Sequence, residues 1–477
     1  MKLKKLLRDL PVHIKGKDVE VSGLCSDSRK CKHGDVFIAR RGQNYDGTRF
    51  IADALAAGAV AIITDILDPF CSATQVITAL VGEMEIELAK RFFNNPASKL
   101  CMIGITGTNG KTTTSYLVRH LLKDCSLIGT IEAIIGEHHF PSLLTTPDII
   151  ALQKMLSMMV EEKSKSCVME VSSHALEQRR VAGIEYDIAI YTNLSQDHLD
   201  YHKTMENYFN SKAKLFKGLT AKASALINAD CPYAKRIETK AKVITFGIDT
   251  CADLRAFDIE MSASSIAFTV VHKRESARFV CPLIGRFNIY NCLSAIGVAL
   301  IKGQSLEQIA KKLKTFTAVP GRLERIDNNR GFHIFVDFAH TADALENVCS
   351  ELKRLCKGRL LTLFGCGGDR DADKRPKMGA AASKHSDYVL ITSDNPRNEE
   401  PLDICRAIAA GCKVNYAIEP DRKKAIESLL AMAKPGDVLL IAGKGHERTQ
   451  SFANKTYPFD DRQTVKTHLA QTPTIPV

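Results

Sequence analysis

The stretch "IGITGTNGKTTTSYLVRHLL", residues 103–122, constrains the fold most. An apolar, strand-like run passes through glycines into residues with helical spacing, and the turn between them carries Gly-Lys-Thr. Unpaired amides at a helix N-terminus and the helix dipole both favour an anion, so such a turn cradles phosphate. Gly107, Thr108, Asn109, Gly110, Lys111 and Thr112, with Thr113 next in the helix, would line the phosphates of ATP or GTP. Lys111 would neutralise the β/γ-phosphates, and the Thr112 hydroxyl would reach a magnesium ion. The spacing departs from G-x-x-x-x-G-K-T, because Ile105 stands at the first glycine position and glycines occupy 104 and 107 instead. An ordinary strand-to-helix turn is the bland alternative, and the loop alone leaves the use of the nucleotide open.

The rest of the chain repeats the strand-then-helix alternation. "DVFIAR" (35–40), "AVAIITD" (59–65), "KLCMIGIT" (99–106), "CVMEV" (167–171), "DIAIYTN" (187–193), "SALINAD" (224–230), "DYVLIT" (387–392) and "DVLLIAG" (437–443) are short apolar runs. Such runs read as strands buried on both faces by flanking helices, which predicts an α/β fold with parallel sheets. Residues 252–283 alternate apolar and polar instead, as in a small antiparallel sheet. Asn-Asn-Pro near residue 95 and Pro-Gly at 320–321 mark seams. They predict three domains, 1–96, 97–322 and 323–477.

A 477-residue chain is too long for one ordinary core. Its net charge of +11 invites a nucleic-acid reading, but the basic residues are spread evenly, without an aromatic platform or a helix-turn-helix, RRM or KH signature. That balance suits substrates carrying phosphates and carboxylates. No apolar run approaches the roughly 18 residues of a membrane span, and the first residues show no signal-peptide h-region. Fifteen cysteines without a C-x-x-C pair predict reduced thiols in a cytoplasmic protein, not a disulfide framework or a zinc site.

Two further residues invite chemistry. Glu170 ends the apolar run "CVMEV", where a phosphate-loop protein needs a carboxylate for magnesium. In "NYFNSKAKLF" (207–216), Tyr208, Phe209, Leu215 and Phe216 share a helical stripe. Lys212 sits within it, whereas Lys214 points away. A buried ammonium is costly unless paired or altered; the bland reading is a side chain with its head in water.

Seven motifs then occur in order: "GITGTNGKTTT", "EVSSHAL", "TNLSQDHLDYH", "GRFNIYNCLSA", "GRLERI", "VDFAHTADAL" and "DNPRNEEP". The chain resembles the Mur ligase family of ATP-dependent amide-forming enzymes, from "DSRKCKHGDVF" (27–37) to "GKGHE" (443–447), and within it the members that add the third residue of the peptidoglycan stem peptide. The resemblance implies an N-terminal domain for the UDP end of the substrate, a central P-loop ATPase domain and a C-terminal Rossmann-like domain binding the incoming amino acid. It implies that ATP phosphorylates the D-glutamate γ-carboxylate of UDP-N-acetylmuramoyl-L-alanyl-D-glutamate, and that an amine attacks the acyl phosphate. Mg2+, small-molecule substrates, no nucleic-acid partner and a monomer follow from it.

Residue by residue, the resemblance implies that Lys111 and Thr112 bind ATP and that Glu170 and His198 hold magnesium. Lys212 would be carbamylated by carbon dioxide and become a metal ligand. Asn288 and Asn291 would lie on the adenine side, and Arg322 and Asp337 would reach ATP from the next domain; as bare residues these are helix caps and surface charges. Phe338 stands where tyrosine is common, a change of little expected effect. Ser28, Gln43, Asn44 and Tyr45 would contact the UDP, and Thr145, Thr146, Ser172, Gln178 and Arg180 the glutamate and muramoyl group of the UDP-MurNAc-dipeptide.

The family divides over diaminopimelate versus lysine. Meso-diaminopimelate carries a second amino-acid head, whose carboxylate calls for a two-pronged cation and whose ammonium calls for an acid. Arg370, Asp394, Asn395, Pro396, Arg397, Gly443 and Glu447 match the diaminopimelate-adding pattern. The alternative is that Arg370 and Arg397 only pair with Asp369, Asp371 or Glu399. Folylpolyglutamate synthase, a nucleic-acid-stimulated P-loop ATPase and an inactive scaffold are rival readings. The long N-terminal domain and the "DNPR" loop count against the first; Lys111, Glu170, His198 and Lys212 together count against the last.

Overall fold

The computed structural model describes residues 1–41, 46–453 and 455–471; the expected contacts Gln43, Asn44 and Tyr45 lie outside them. The described chain divides into two compact units, Met1–Gly104 with Asp124–Asp187, and Ile105–Lys123 with Ile188–Val477.

The first unit carries a five-stranded sheet in the order His13–Lys15, Thr74–Ile77, Ala61–Thr64, Asp35–Ile38, Gly23–Cys25. Its first pair is antiparallel and the others parallel. Successive side chains on a strand point to opposite faces. Val36, Ile38, Ile63 and Val76 therefore go to one core, with Leu3, Met84, Leu88 and Ile149. Phe37 and Ile62 go to the other core, with Ala54. A second set of strands in this unit pairs Ser166–Glu170 in parallel with Cys125–Ile128, which continues antiparallel through Glu132–Ile135 to His138–Pro141.

The second unit holds the phosphate loop. Strands Ile188–Tyr191, Ser224–Asn228 and Lys242–Gly247 run parallel. Leu254–Met261, Ile266–His272 and Glu275–Cys281 follow as the expected antiparallel meander. Helix Lys111–Leu121 packs on helix Phe287–Ile301, which is buried nearly all round because its apolar residues do not keep to one stripe. A six-stranded sheet completes the unit, in the order Glu324–Ile326, His333–Asp337, Val438–Ala442, Leu360–Phe364, Tyr388–Ile391, Tyr416–Ile418. All its pairs are parallel except the first. Leu360, Phe364 and Leu440 face one helical layer; Leu361, Leu363, Leu439 and Ile441 face the other. Burial on both faces is what makes these strands read as unbroken apolar runs. All eight runs picked out in the sequence are strands, as an α/β fold requires.

Candidate active site

The site is built around the turn between strand Cys101–Thr106 and helix Lys111–Leu121. Gly107 and Gly110 take φ of +151° and +85°. A Cβ on Gly107 would come 1.8 Å from Thr192 Oγ1, and one on Gly110 would come 2.3 Å from Asn291 Oδ1. Both positions therefore need glycine, sterically as well as conformationally. The loop is held from the side by the segment after strand Ile188–Tyr191. Thr108 N donates to Asn193 O and Asn109 N to Asn193 Oδ1, both at 2.9 Å, and Thr192 Oγ1 donates to Asn109 O at 2.6 Å. Lys111 Nζ donates to Gly107 O and Thr108 O, each at 2.9 Å. Thr112 and Thr113 are buried in the first helical turn.

Lys212 reaches the same carbonyl. Helix Met205–Lys217 starts at Thr204, whose hydroxyl accepts from Asn207 N at 3.1 Å, and buries Tyr208, Phe209, Leu215 and Phe216. Lys212 is only 1% exposed, so its head is not in water, while Lys214 is exposed. Lys212 Nζ donates to Gly107 O at 2.9 Å and lies 4.3 Å from the centre of the Tyr208 ring. Burial, reinforced by the Lys111 charge and opposed by Asp197, drives its pKa well below the ordinary lysine value. Burial thus favours the neutral amine over the ammonium at this position.

Asp197, which the sequence reading passed over, is the anion of this corner. Burial raises its pKa, but His198, His340 and Lys374 together hold it below the ordinary carboxylate value. His198 takes a left-handed backbone conformation, with φ of +53°, and its Nε2 lies 3.4 Å from Asp197 Oδ2.

Asn288 and Asn291 are not caps; they lie inside helix Phe287–Ile301 and are buried. Asn291 Nδ2 donates to Asn288 Oδ1 at 2.8 Å, and Asn288 Nδ2 to Ile284 O at 2.7 Å. Two groups reach the loop from beyond residue 320. Arg322 Nη2 donates to Thr112 Oγ1 at 3.1 Å, and Asp343 Oδ2 accepts from Asn109 Nδ2 at 3.0 Å. The Arg322 guanidinium also stacks on Phe338, 4.6 Å from its centre, a contact that needs a ring and not a phenol hydroxyl. Asp337 is buried, and accepts from Leu323 N and Ala339 N at 2.6 and 2.7 Å; burial raises its pKa against the pull of Arg322. Its oxygens shape the turn that presents Arg322.

A second cluster of the same unit lies at the C-terminal ends of strands Leu360–Phe364, Tyr388–Ile391 and Val438–Ala442. Asn395 Nδ2 donates to Glu447 Oε2 at 2.9 Å, and Asn395 Oδ1 accepts from Lys444 Nζ at 3.1 Å. Lys444, fully buried, also donates to Glu447 Oε2 at 2.7 Å. Arg397 donates to Gly368 O and Arg370 to Asp369 O, and Pro396 is buried. Among the described residues neither guanidinium touches a carboxylate, because Glu399 is taken by buried Arg375 at 2.8 Å and Asp369 by Asn398 at 2.8 Å. Gly443 N donates to Asp337 O at 3.1 Å, and buried Asp394 stands beside Gly443. Beneath both loops the buried Arg422 makes two bonds to Asp461, at 2.8 and 2.7 Å, and donates to Ser393 O and Ala442 O.

The first unit gathers its own cluster. Glu170 is fully buried, with Oε1 accepting from Thr130 N at 2.8 Å and Oε2 from Thr130 Oγ1 at 3.0 Å. Thr130 Oγ1 lies 3.1 Å from Thr145 Oγ1, and Thr146 Oγ1 donates to Glu170 O at 2.8 Å. Ser172 caps its helix and donates its N–H to Thr146 Oγ1 at 3.1 Å. Arg180 donates to Thr146 O at 3.0 Å and to Gln178 Oε1 at 2.6 Å. Ser28 lies apart from this cluster's strands, in the short helix Ser28–Lys30.

Residues 105–299 match the family model described as Mur ligase middle domain, 321–445 that of Mur ligase, glutamate ligase domain, and 20–90 that of Mur ligase family, catalytic domain. A UDP-N-acetylmuramoyl-L-alanyl-D-glutamate--2,6-diaminopimelate ligase of Chlamydia caviae is 42% identical, over 98% of this chain and 99% of that protein. One of Chlamydia pneumoniae is 44% identical over 98% and 99%. A solved structure of a ligase with that same name aligns over 98% of this chain and 99% of its own, with a TM-score of 0.68 at 32% identity.

Proposed function

The chain belongs to the Mur ligase family, and from that premise we propose that it is an ATP-dependent amide ligase of peptidoglycan precursor synthesis. It joins meso-2,6-diaminopimelate to the D-glutamate γ-carboxylate of UDP-N-acetylmuramoyl-L-alanyl-D-glutamate, releasing ADP and phosphate. Likeness of 42–44% over nearly the whole length of relatives bearing that activity in their names carries the reading. The three domains 1–96, 97–322 and 323–477 take the UDP-linked substrate, ATP and the incoming amino acid. ATP as co-substrate and free cysteines suit a cytoplasmic enzyme.

A bare carboxylate is a poor electrophile. Transfer of the γ-phosphoryl group makes an acyl phosphate, which the amine attacks; the tetrahedral intermediate collapses with phosphate as leaving group. Lys111 turns from its loop carbonyls to the transferring phosphoryl group, and the loop amides hold the anions in line. Arg322 adds a second cation beside Thr112. Arg180, Thr146 and Ser172 orient the glutamate, while Arg397, Asn395 and Glu447 take the distal head of diaminopimelate.

Each unit by itself offers donors of the kind Mg2+ takes, the carboxylate of Glu170 in the first and the hydroxyl of Thr112 and the oxygens of a Lys212 carbamate in the second, where His198 adds a nitrogen donor. When bound, the ion neutralises charge on the reacting phosphates. Lys212 fits the carbamate, because burial favours the neutral amine, which adds to carbon dioxide with loss of one proton.

The test is phosphate release by the purified protein with UDP-N-acetylmuramoyl-dipeptide and meso-diaminopimelate, L-lysine or no amino acid. Release is expected with diaminopimelate; release with lysine alone would overturn the specificity.

A further inference from the structure

In the first unit, away from Glu170, three metal-ligating groups converge. The Sγ atoms of Cys25 and Cys31 and a carboxylate oxygen of Asp35 all lie within 4.8 Å of one another. The ligands are held by the sheet and the turn it feeds. Cys25 ends strand Gly23–Cys25, Asp35 opens strand Asp35–Ile38, and Gly23 pairs with Asp35 across the parallel ladder. Cys31 caps the helix Ser28–Lys30. Asp35 is 9% exposed; its Oδ2 accepts from Lys32 N at 2.9 Å, and its Oδ1 accepts no hydrogen bond among the described residues. That oxygen lies over Gly23, where a Cβ would meet it at 2.2 Å.

We propose that Cys25, Cys31 and Asp35 form a binding site for a thiophilic divalent cation of the zinc class, with its fourth position open to water. Tetrahedral zinc with bonds of about 2.0–2.3 Å puts its ligand atoms about 3.7 Å apart, so the cluster closes on an ion by a shift of about 1 Å at most. Each thiol loses one proton to solvent as its sulfur–metal bond forms; nothing is oxidised. A bound cation offsets the repulsion among two thiolates and a carboxylate held this close together. Lys30 and Lys32, both exposed, offset the remaining negative charge, while Arg29 is taken by Asp27 at 2.9 Å. The C-x5-C-x3-D spacing lies outside the C-x-x-C patterns by which zinc sites are read from sequence. The ion would tie the strand end to the turn carrying Ser28.

Co2+ titrated into the metal-free full chain is expected to give one equivalent of a thiolate-to-metal charge-transfer band. Cys25→Ser and Cys31→Ser lose it, Asp35→Asn binds at least tenfold more weakly, and Cys251→Ser, at an exposed cysteine elsewhere, keeps it. Should the serine variants fold poorly, Zn2+ is expected to protect Cys25 and Cys31 of the unaltered protein from alkylation, read by peptide mapping. A band that survives both serine variants overturns the site, as does unprotected labelling or a Cys25–Cys31 disulfide that forms in place of metal binding. None of these readouts involves turnover, so failure here is distinct from failure of the ligase reading.

Discussion

Replacing Lys212 by methionine separates what this residue does for folding from what it does for chemistry. Methionine nearly matches the aliphatic stem and removes the amine. The loss is one hydrogen bond to Gly107 O, about 1 kcal/mol, and part of the Tyr208 contact, about 0.5–1 kcal/mol. Gly107 O keeps Lys111 as a donor at 2.9 Å, so no orphaned acceptor remains. The gain is relief of burial, which holds the Lys212 pKa far below its ordinary value; each tenfold loss of proton affinity costs about 1.4 kcal/mol at a pH below the folded pKa. The gap between the unfolded pKa of about 10.4 and pH 7 caps that cost at about 4.6 kcal/mol, so the balance favours Lys212→Met by at most about 3 kcal/mol, a Tm rise of at most about 3 °C for a chain this long. The advantage depends on pH with a definite sign. A depressed lysine pKa leaves stability intact above the unfolded value of about 10.4 and removes it as pH falls toward the folded value. The advantage of the variant is therefore smallest at alkaline pH and widens toward pH 7. Calorimetry in carbon-dioxide-depleted, magnesium-free buffer at pH 9.5 and 7 measures it, while phosphate release falls to background. A variant that melts below the parent at pH 7, or a gap indifferent to pH, would refute the argument.

Lys212→Ala leaves a hole instead, and its lost activity is expected to return in part with a short carboxylic acid supplied as carbamate substitute; full activity without rescue would return Lys212 to a packing role. Gly110→Ala is expected to weaken ADP binding at least tenfold, because of both its +85° φ and the approach to Asn291. Gly303→Ala, with φ of +82° but nothing within 4 Å, has the strain without the clash and should bind ADP normally. Arg397→Ala is expected to lose diaminopimelate-dependent phosphate release at least a hundredfold with ATP affinity changed less than twofold; equal loss of both would remove Arg397 from amino-acid selection.

The fold was legible where burial is two-sided, because a strand such as Val438–Ala442 must then be apolar at every position. It was illegible where burial is polar. Strand Thr74–Ile77 escaped notice because Gln75 is buried as a hydrogen-bonding residue, its amide donating to Asp68 O and accepting from Asp68 N. The site divides the same way. Lys212 stood out as a cation on an apolar stripe, and the loop glycines by their spacing. Asp197, Asp343 and Lys444 carry no local pattern; each matters through a partner distant in sequence or a burial that only the folded chain creates. Arg422 and Asp461 are 39 residues apart, and neither residue alone announces the pair beneath the two loops.

The groups that reach Thr112 and Asn109 come from positions 210 and 234 residues further along the chain. Synthesis runs from the N-terminus, so a chain still on the ribosome completes its phosphate loop, its glycines and Lys212 long before Arg322 and Asp343 emerge. An unfinished or clipped chain ending before Arg322 would carry the nucleotide cradle without either contact. The side-chain contacts that complete the phosphate loop thus wait on residues made late in synthesis.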